Sequence, residues 1–246
     1  VMSVALLEAL WEHKIDVIFC DSHHLPSALL VSLYGNYESS ARLTSQITWD
    51  SEIKDLVWAE IVRDKIRKQA DVLGFSGNSE AKEKLLFYAS EIQPGDSSNR
   101  EGHAAKVYFN SLIDHSFSRK QPSYLNEALN YGYSVMMSAV SRTIVSAGYN
   151  TQIGIFHHSV FNQFNLASDF MEPFRPLVDM KVLSLPIDEA LTTESKMIIV
   201  GLLNETVAIK GVKATVLAAI EVYVRSVLEA LEEKDISRIA FYDFER

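Results

Sequence analysis

Along most of this chain, apolar side chains recur every three or four positions between charged ones, the period of helices that turn one face to a core. Over residues 51–73 the apolar positions are Ile53, Leu56, Val57, Ile61, Ile66 and Leu73, set among charges, and Gly74 and Gly77 close the segment. Residues 79–92 form a second helix stopped by Pro94-Gly95, and a third begins near Asn99. Leu125, Leu129, Val135, Met136, Val140 and Ile144 mark a fourth over about 123–147, ended by Gly148. Further helices are predicted over roughly 166–182, 188–203 and 214–233, the last carrying Leu217, Ile220, Val224, Leu228 and Leu231. The start of the chain is mixed. Residues 4–12 read as a helix with Leu6, Leu7, Leu10 and Trp11 at helical spacing. Residues 15–20 and 28–33 are short apolar runs suited to strands, punctuated by Pro26 and Gly35. One or two strands do not make a stable sheet alone, so the chain is expected to open within a domain.

Composition bounds the picture. The chain has 246 residues, 48% apolar and 22% charged, which reads as a soluble globular protein able to bury a substantial core. No uncharged apolar run reaches the ~18 residues of a membrane span, and no basic stretch followed by an apolar one marks a secretory signal. The lone cysteine, Cys20, excludes an internal disulfide and fits a reducing cytoplasm. Its apolar surroundings, Ile15-Asp16-Val17-Ile18-Phe19, suggest a buried, inert thiol. The net charge of −9 argues against simple nucleic-acid binding, whose affinity comes largely from Lys and Arg on phosphates. An acidic chain binds DNA only through a local basic patch, a metal or a basic partner. No phosphate-binding loop, dinucleotide fingerprint, His-Glu-x-x-His or Gly-x-Ser-x-Gly is present, so ATP use, dinucleotide chemistry and serine hydrolysis lack support.

Two segments carry candidate chemistry. One is Asn99-Arg100-Glu101-Gly102-His103-Ala104-Ala105. The other runs from Gly154-Ile155-Phe156-His157-His158 through Asn162-Gln163-Phe164-Asn165-Leu166-Ala167 to Asp169-Phe170-Met171-Glu172-Pro173-Phe174-Arg175-Pro176. They offer one imidazole and two or three carboxylates from separate parts of a helical domain. Such mixed nitrogen and oxygen donors suit Mn²⁺ or Mg²⁺, and a hard cation held this way is a common device for phosphoryl transfer.

Each residue also has an ordinary reading. Ser98-Asn99-Arg100-Glu101 matches a capping box, with Ser98 capping a helix and Glu101 reaching back. Adjacent His157 and His158 cannot point the same way. Asp169 and Glu172 would stack on one helical face. Pro173, however, kinks the helix at Glu172 or restarts it. Glu172 also has the spacing of an ion pair with Arg175. The basic run Arg63-Asp64-Lys65-Ile66-Arg67-Lys68 reads as a solvated helix face or as a track for duplex DNA. Asp21-His23-His24 lacks a matched third ligand and reads as a loop at a strand end.

Together the two segments resemble the metal-dependent integrase of CRISPR adaptation. That family carries an Arg-Glu-Gly-x-Ala-Ala helix start, a His after a Gly-rich entry, and an Asp-x-x-Glu-Pro-Phe-Arg-Pro helix. The Asn-Gln-Phe-Asn-Leu-Ala insertion is similar to the branch found beside single-protein RNA-guided nucleases. The resemblance covers nearly the whole chain. It implies a mainly α fold: residues 1–35 as the remnant of a small N-terminal β-rich domain, largely absent, and 36–246 as a helical catalytic domain. It implies that Glu101, His157 and Glu172 bind one Mg²⁺ or Mn²⁺, with His158 the alternative to His157. Asp169 is a ligand in some branches and stands one layer behind in this one. Arg100, Lys106 and Arg175 are candidates for DNA phosphates, and Arg142 and Lys181 also lie near the motifs. The implied activity is endonuclease and integrase: a 3′-OH of a short foreign DNA fragment attacks a CRISPR repeat by transesterification. The implied partners are double-stranded DNA, a second copy of the chain and a small ferredoxin-like companion. A hydrolytic metal-dependent nuclease and a non-catalytic DNA-capture scaffold are the alternatives.

Overall fold

The computed structural model describes residues 2–13, 15, 17–20, 26–30, 38–186 and 190–245. The expectations placed on the Cys20 thiol, Asp21-His23-His24, residues 31–33 and Gly35 lie outside what is described. The chain opens with α1 (Val4–Glu12), and β1 (Val17–Cys20) pairs antiparallel with β2 (Pro26–Leu30). No residue of α1 is buried.

The fold is mainly α, as the apolar periodicity implies. After α2 (Ser39–Ile47) comes α3 (Ser51–Phe75), the axis of the molecule. It packs against α4 (Ser79–Ser90), α5 (Arg100–Leu112), α8 (Arg175–Leu183) and α10 (Val216–Glu233). Along α3, Val57, Trp58, Ile61, Val62, Ile66 and Leu73 are almost completely buried. A helix surrounded this way loses its polar face: Asp64, Lys65, Lys68 and Gln69 are buried too. This corrects both readings of the 63–68 run. It is neither a solvated face nor a DNA track, because only Arg67 among its basic residues is exposed. Arg63 instead donates to the carbonyls of Ala89 and Ile92 at the end of α4.

The second layer is α6 (Tyr124–Ser146), packed on α8, on α10 and on α9 (Thr193–Gly201). The helical stretch expected over 166–182 is interrupted at Pro173, as expected: it is α7 (Asn165–Phe170), a 3-10 turn at Glu172–Phe174, and α8, which begins at Arg175. Pro173 and Pro176 withhold the N–H groups that would carry one uninterrupted ladder.

One element escaped the sequence reading. Strands β3 (Thr206–Ile209), β4 (Val212–Thr215) and β5 (Tyr242–Phe244) form an antiparallel sheet in the order β4-β3-β5. Lys210 and Gly211, at φ 50° and 74°, make the two-residue turn between β3 and β4. The sheet closes one end of the core through Val207, Ile209 and Tyr242, the last donating to the carbonyl of Pro173 at 2.9 Å. Among the described residues, no helix is long and apolar enough to cross a membrane.

Candidate active site

The site lies where the start of α5, the middle of α3, the loop before α7 and the 3-10 turn meet. At the start of α5 the expected capping box is not used. Asn99 is the N-cap, in a left-handed conformation (φ 51°), and its side chain accepts from the Gly102 amide. Asp96 takes the amides of Arg100 at 2.8 Å and Glu101 at 2.9 Å. With the first-turn donors satisfied from behind, Glu101 does not reach back, and Ser98 stays exposed. The Glu101 carboxylate turns across the site, where Oε1 lies 2.5 Å from Lys65 Nζ.

Glu172 approaches the same ammonium from the other side. Its Oε2 lies 2.5 Å from Lys65 Nζ, while Oε1 accepts from Arg175 Nε at 2.8 Å, the ion pair its spacing suggested. Glu172 is 3% exposed, and its Oε2 has no aligned hydrogen-bond donor despite the nearby charge. Burial works against ionisation, but the charges of Arg175 and Lys65 outweigh it and bring the Glu172 pKa down to about 2. The converse holds at Lys65. Burial disfavours its charge, and the attraction of Glu172 and then Glu101 overcomes that and raises its pKa.

Asp169 faces a different way from Glu172, because the 3-10 turn breaks the helical register between them. Its buried carboxylate caps the loop before α7. Oδ2 accepts the amides of Ile155 at 2.8 Å and Phe156 at 3.0 Å, and Oδ1 accepts that of His157 at 3.1 Å. Oδ1 also meets His157 Nδ1 at 2.5 Å. This contact places the imidazole proton on Nδ1 and turns Nε2 away from the carboxylate. The hydrogen bond to Asp169 raises the His157 pKa, against the opposing pull of burial. Gly154 makes the loop possible: a Cβ there would lie 2.4 Å from the His157 carbonyl oxygen and 2.8 Å from Asp169 Oδ2. Trp58 of α3 supports the loop, stacked on Phe156 at 4.2 Å and edge-on to His157 at 5.8 Å. His158 is exposed.

Behind Arg175 lies a buried polar group. The guanidinium sits 4.5 Å over the Tyr133 ring, and Tyr133 donates to Asp179 at 2.5 Å. Burial pushes the Asp179 pKa up to about 6, although the hydrogen bond from Tyr133 opposes it. Of the other cations, Arg100 pairs with Glu91 at 2.6 Å and covers Tyr88, and Lys181 pairs with Glu205. Lys106 and Arg142 are exposed.

The structure thus joins Glu101 to Glu172 through Lys65, and His157 to Asp169. Among the described residues, no three His, Cys, Asp or Glu side chains form a group that could hold a metal ion. The donors nevertheless fit a hard divalent cation in kind: two carboxylates converging on one positive charge, one of them with an oxygen lacking an aligned donor, and an imidazole with its tautomer fixed. Lys65, the residue sequence reasoning missed, had a visible signal. Trp58, Val62, Lys65, Gln69 and Val72 share one helical stripe, so Lys65 falls on an apolar face.

Residues 1–207 match the family described as CRISPR associated protein Cas1. The chain belongs to that family. It is 35% identical over 243 residues to the CRISPR-associated endonuclease Cas1 of Neisseria meningitidis serogroup C, covering 97% of this chain and 80% of that one. Two solved structures share the Cas1 fold at lower identity. A partial Cas6-RT-Cas1–Cas2 complex superposes with a TM-score of 0.74 at 18% identity, covering 100% of this chain and 86% of that one. A casposase bound to its integration product superposes at 0.67 and 21% identity, covering 95% and 80%.

Proposed function

We propose that this Cas1 chain is a metal-dependent DNA endonuclease and integrase that joins the 3′-OH of a short DNA fragment to a CRISPR repeat. The carrying observation is that Glu101 and Glu172, from distant parts of the chain, converge on a single buried positive charge. Burying two carboxylates face to face is unfavourable without a cation between them, so this pocket is built around one.

Glu101, Glu172 and the Nε2 of His157 are the groups that would hold Mg²⁺ or Mn²⁺. When bound, the ion would polarise a phosphodiester and stabilise the charge that develops on it. Asp169 orients the imidazole and fixes its proton on Nδ1, so that Nε2 is the free donor. Arg175 holds Glu172 ionised from the protein side. Lys106, exposed on α5, would meet a DNA backbone, and Arg100 at the start of that helix would do so on leaving Glu91. Because the chain carries a net charge of −9, it would act with partners that supply positive surface. The Cas1–Cas2 assembly seen for a structural neighbour supports a small Cas2-like companion, and a second copy of this chain completes the proposed assembly.

The test is strand transfer by the protein with its companion, a 3′-OH fragment and repeat DNA, in Mn²⁺ or Mg²⁺. Covalently joined products are expected from wild type, and little or none from His157→Ala and Glu172→Gln. Equal joining by wild type and His157→Ala would overturn the ligand assignment. Cleavage without joining would reduce the protein to a hydrolytic nuclease.

A further inference from the structure

The geometry points to Lys65 as a resident cation of the metal pocket: its ammonium holds Glu101 and Glu172 together, and a divalent ion enters only by displacing it. This rests on the metal reading above and adds a residue to it.

Three observations carry the inference. First, Nζ stands 2.5 Å from one oxygen of each carboxylate, at the point where a shared cation would sit. Second, the contact to Glu172 is electrostatic rather than a formed hydrogen bond, since Oε2 lacks an aligned donor. That oxygen can exchange one cation for another without losing an aligned bond. Third, the local charges already balance: Lys65 and Arg175 offset Glu101 and Glu172. A divalent ion added beside the ammonium would leave a surplus of positive charge in a pocket where Lys65 is 7% exposed.

Chemistry favours lysine for such a role. Its charge is a compact point on a flexible four-carbon stem, so it can leave two oxygens by rotating about its own bonds. Arg175 is confined by its Nε contact to Glu172 and its place over Tyr133. The way out lies on the Glu101 side, whose side chain is 25% exposed against 4% for that of Glu172.

The decisive measurement is Mn²⁺ binding alone, by calorimetry without DNA, for wild type, Lys65→Met and Lys65→Arg. With the competing charge removed, Lys65→Met should bind Mn²⁺ more tightly by on the order of tenfold or more, while Lys65→Arg should show no gain. Metal-free Lys65→Met should melt below wild type, and Mn²⁺ should raise its melting temperature by more than it raises that of wild type. If Lys65→Met does not fold without metal, Lys65→Gln goes through the same titration. Equal or weaker Mn²⁺ binding by the uncharged variants overturns the exchange and leaves the metal site standing. No Mn²⁺ binding by any of the proteins overturns both.

Discussion

Asp169 and His157 form one hydrogen-bonded unit, in which a single carboxylate oxygen takes both the ring Nδ1 and the backbone amide of the histidine. The imidazole is therefore oriented by the same group that folds its loop. In Asp169→Asn the charge is lost and the His157 pKa should fall, read from the ring protons in an NMR pH titration. The same change should cost about 1–3 kcal/mol of stability, because an amide cannot satisfy three loop N–H groups as well as a buried carboxylate does. An unmoved titration curve would show that Asp169 does not set the histidine's protonation.

Gly154 and Gly201 should respond in opposite ways to the same substitution. A Cβ at Gly154 meets the His157 carbonyl oxygen and the Asp169 carboxylate, so Gly154→Ala should destabilise by about 1–3 kcal/mol in urea unfolding. Gly201, at the end of α9, has nothing within 4 Å of such an atom. Gly201→Ala should be neutral or stabilise by up to about 1 kcal/mol.

The cap of α5 offers a third test. Asp96 takes two first-turn amides and is 7% exposed, whereas Ser98 is exposed on the surface. Asp96→Ala should cost about 1–2 kcal/mol, and Ser98→Ala should stay within about 0.5 kcal/mol of wild type, by chemical denaturation. The reverse order would restore the capping box.

Asp179 should make folding weaker as pH rises. Its folded pKa, about 6, lies above the ordinary value of 3.8, so the native state binds the extra proton. The linked stability is present below the unfolded pKa and is lost as pH rises through the folded one. Glu172, held down to about 2 from an ordinary 4.5, acts in the opposite sense and over a lower range that ends near pH 4.5. Subtracting wild type from Asp179→Asn isolates the aspartate. Between pH about 4 and about 7 the difference should move in favour of the variant by up to about 3 kcal/mol. A pH-independent difference would mean that Asp179 is ionised throughout.

Helices were legible where burial is one-sided. In α6 and α10 the apolar stripe alone marks the element. In α3 the stripe gave the helix but misled about its surroundings, since a helix covered on all sides buries its polar residues as well. Lys65 and Lys68 looked like surface charges because lysine is almost never buried unless paired: the partners of Lys65 sit far along the chain, and the Asp64–Lys68 spacing is equally that of a solvated pair on one helix. Glu101 and Glu172 stood out through their motifs, but what joins them did not, because a pairing through a third side chain leaves no spacing to read. The β3–β4 hairpin was missed although its Lys210-Gly211 turn lies between alternating apolar residues, because so short a strand is masked by the strong helix of α10 that follows.

The middle of α3 is keyed in several directions at once: Arg63 to the end of α4, Lys65 to two acids, and Lys68 to Asp64 beneath the Tyr242 ring. A helix tied this way cannot slip by one residue, a rotation of about 100°, without stranding several ions in hydrocarbon. It works as a splined shaft whose angular setting is locked, so the gap between the two acids is machined into the scaffold before any substrate arrives.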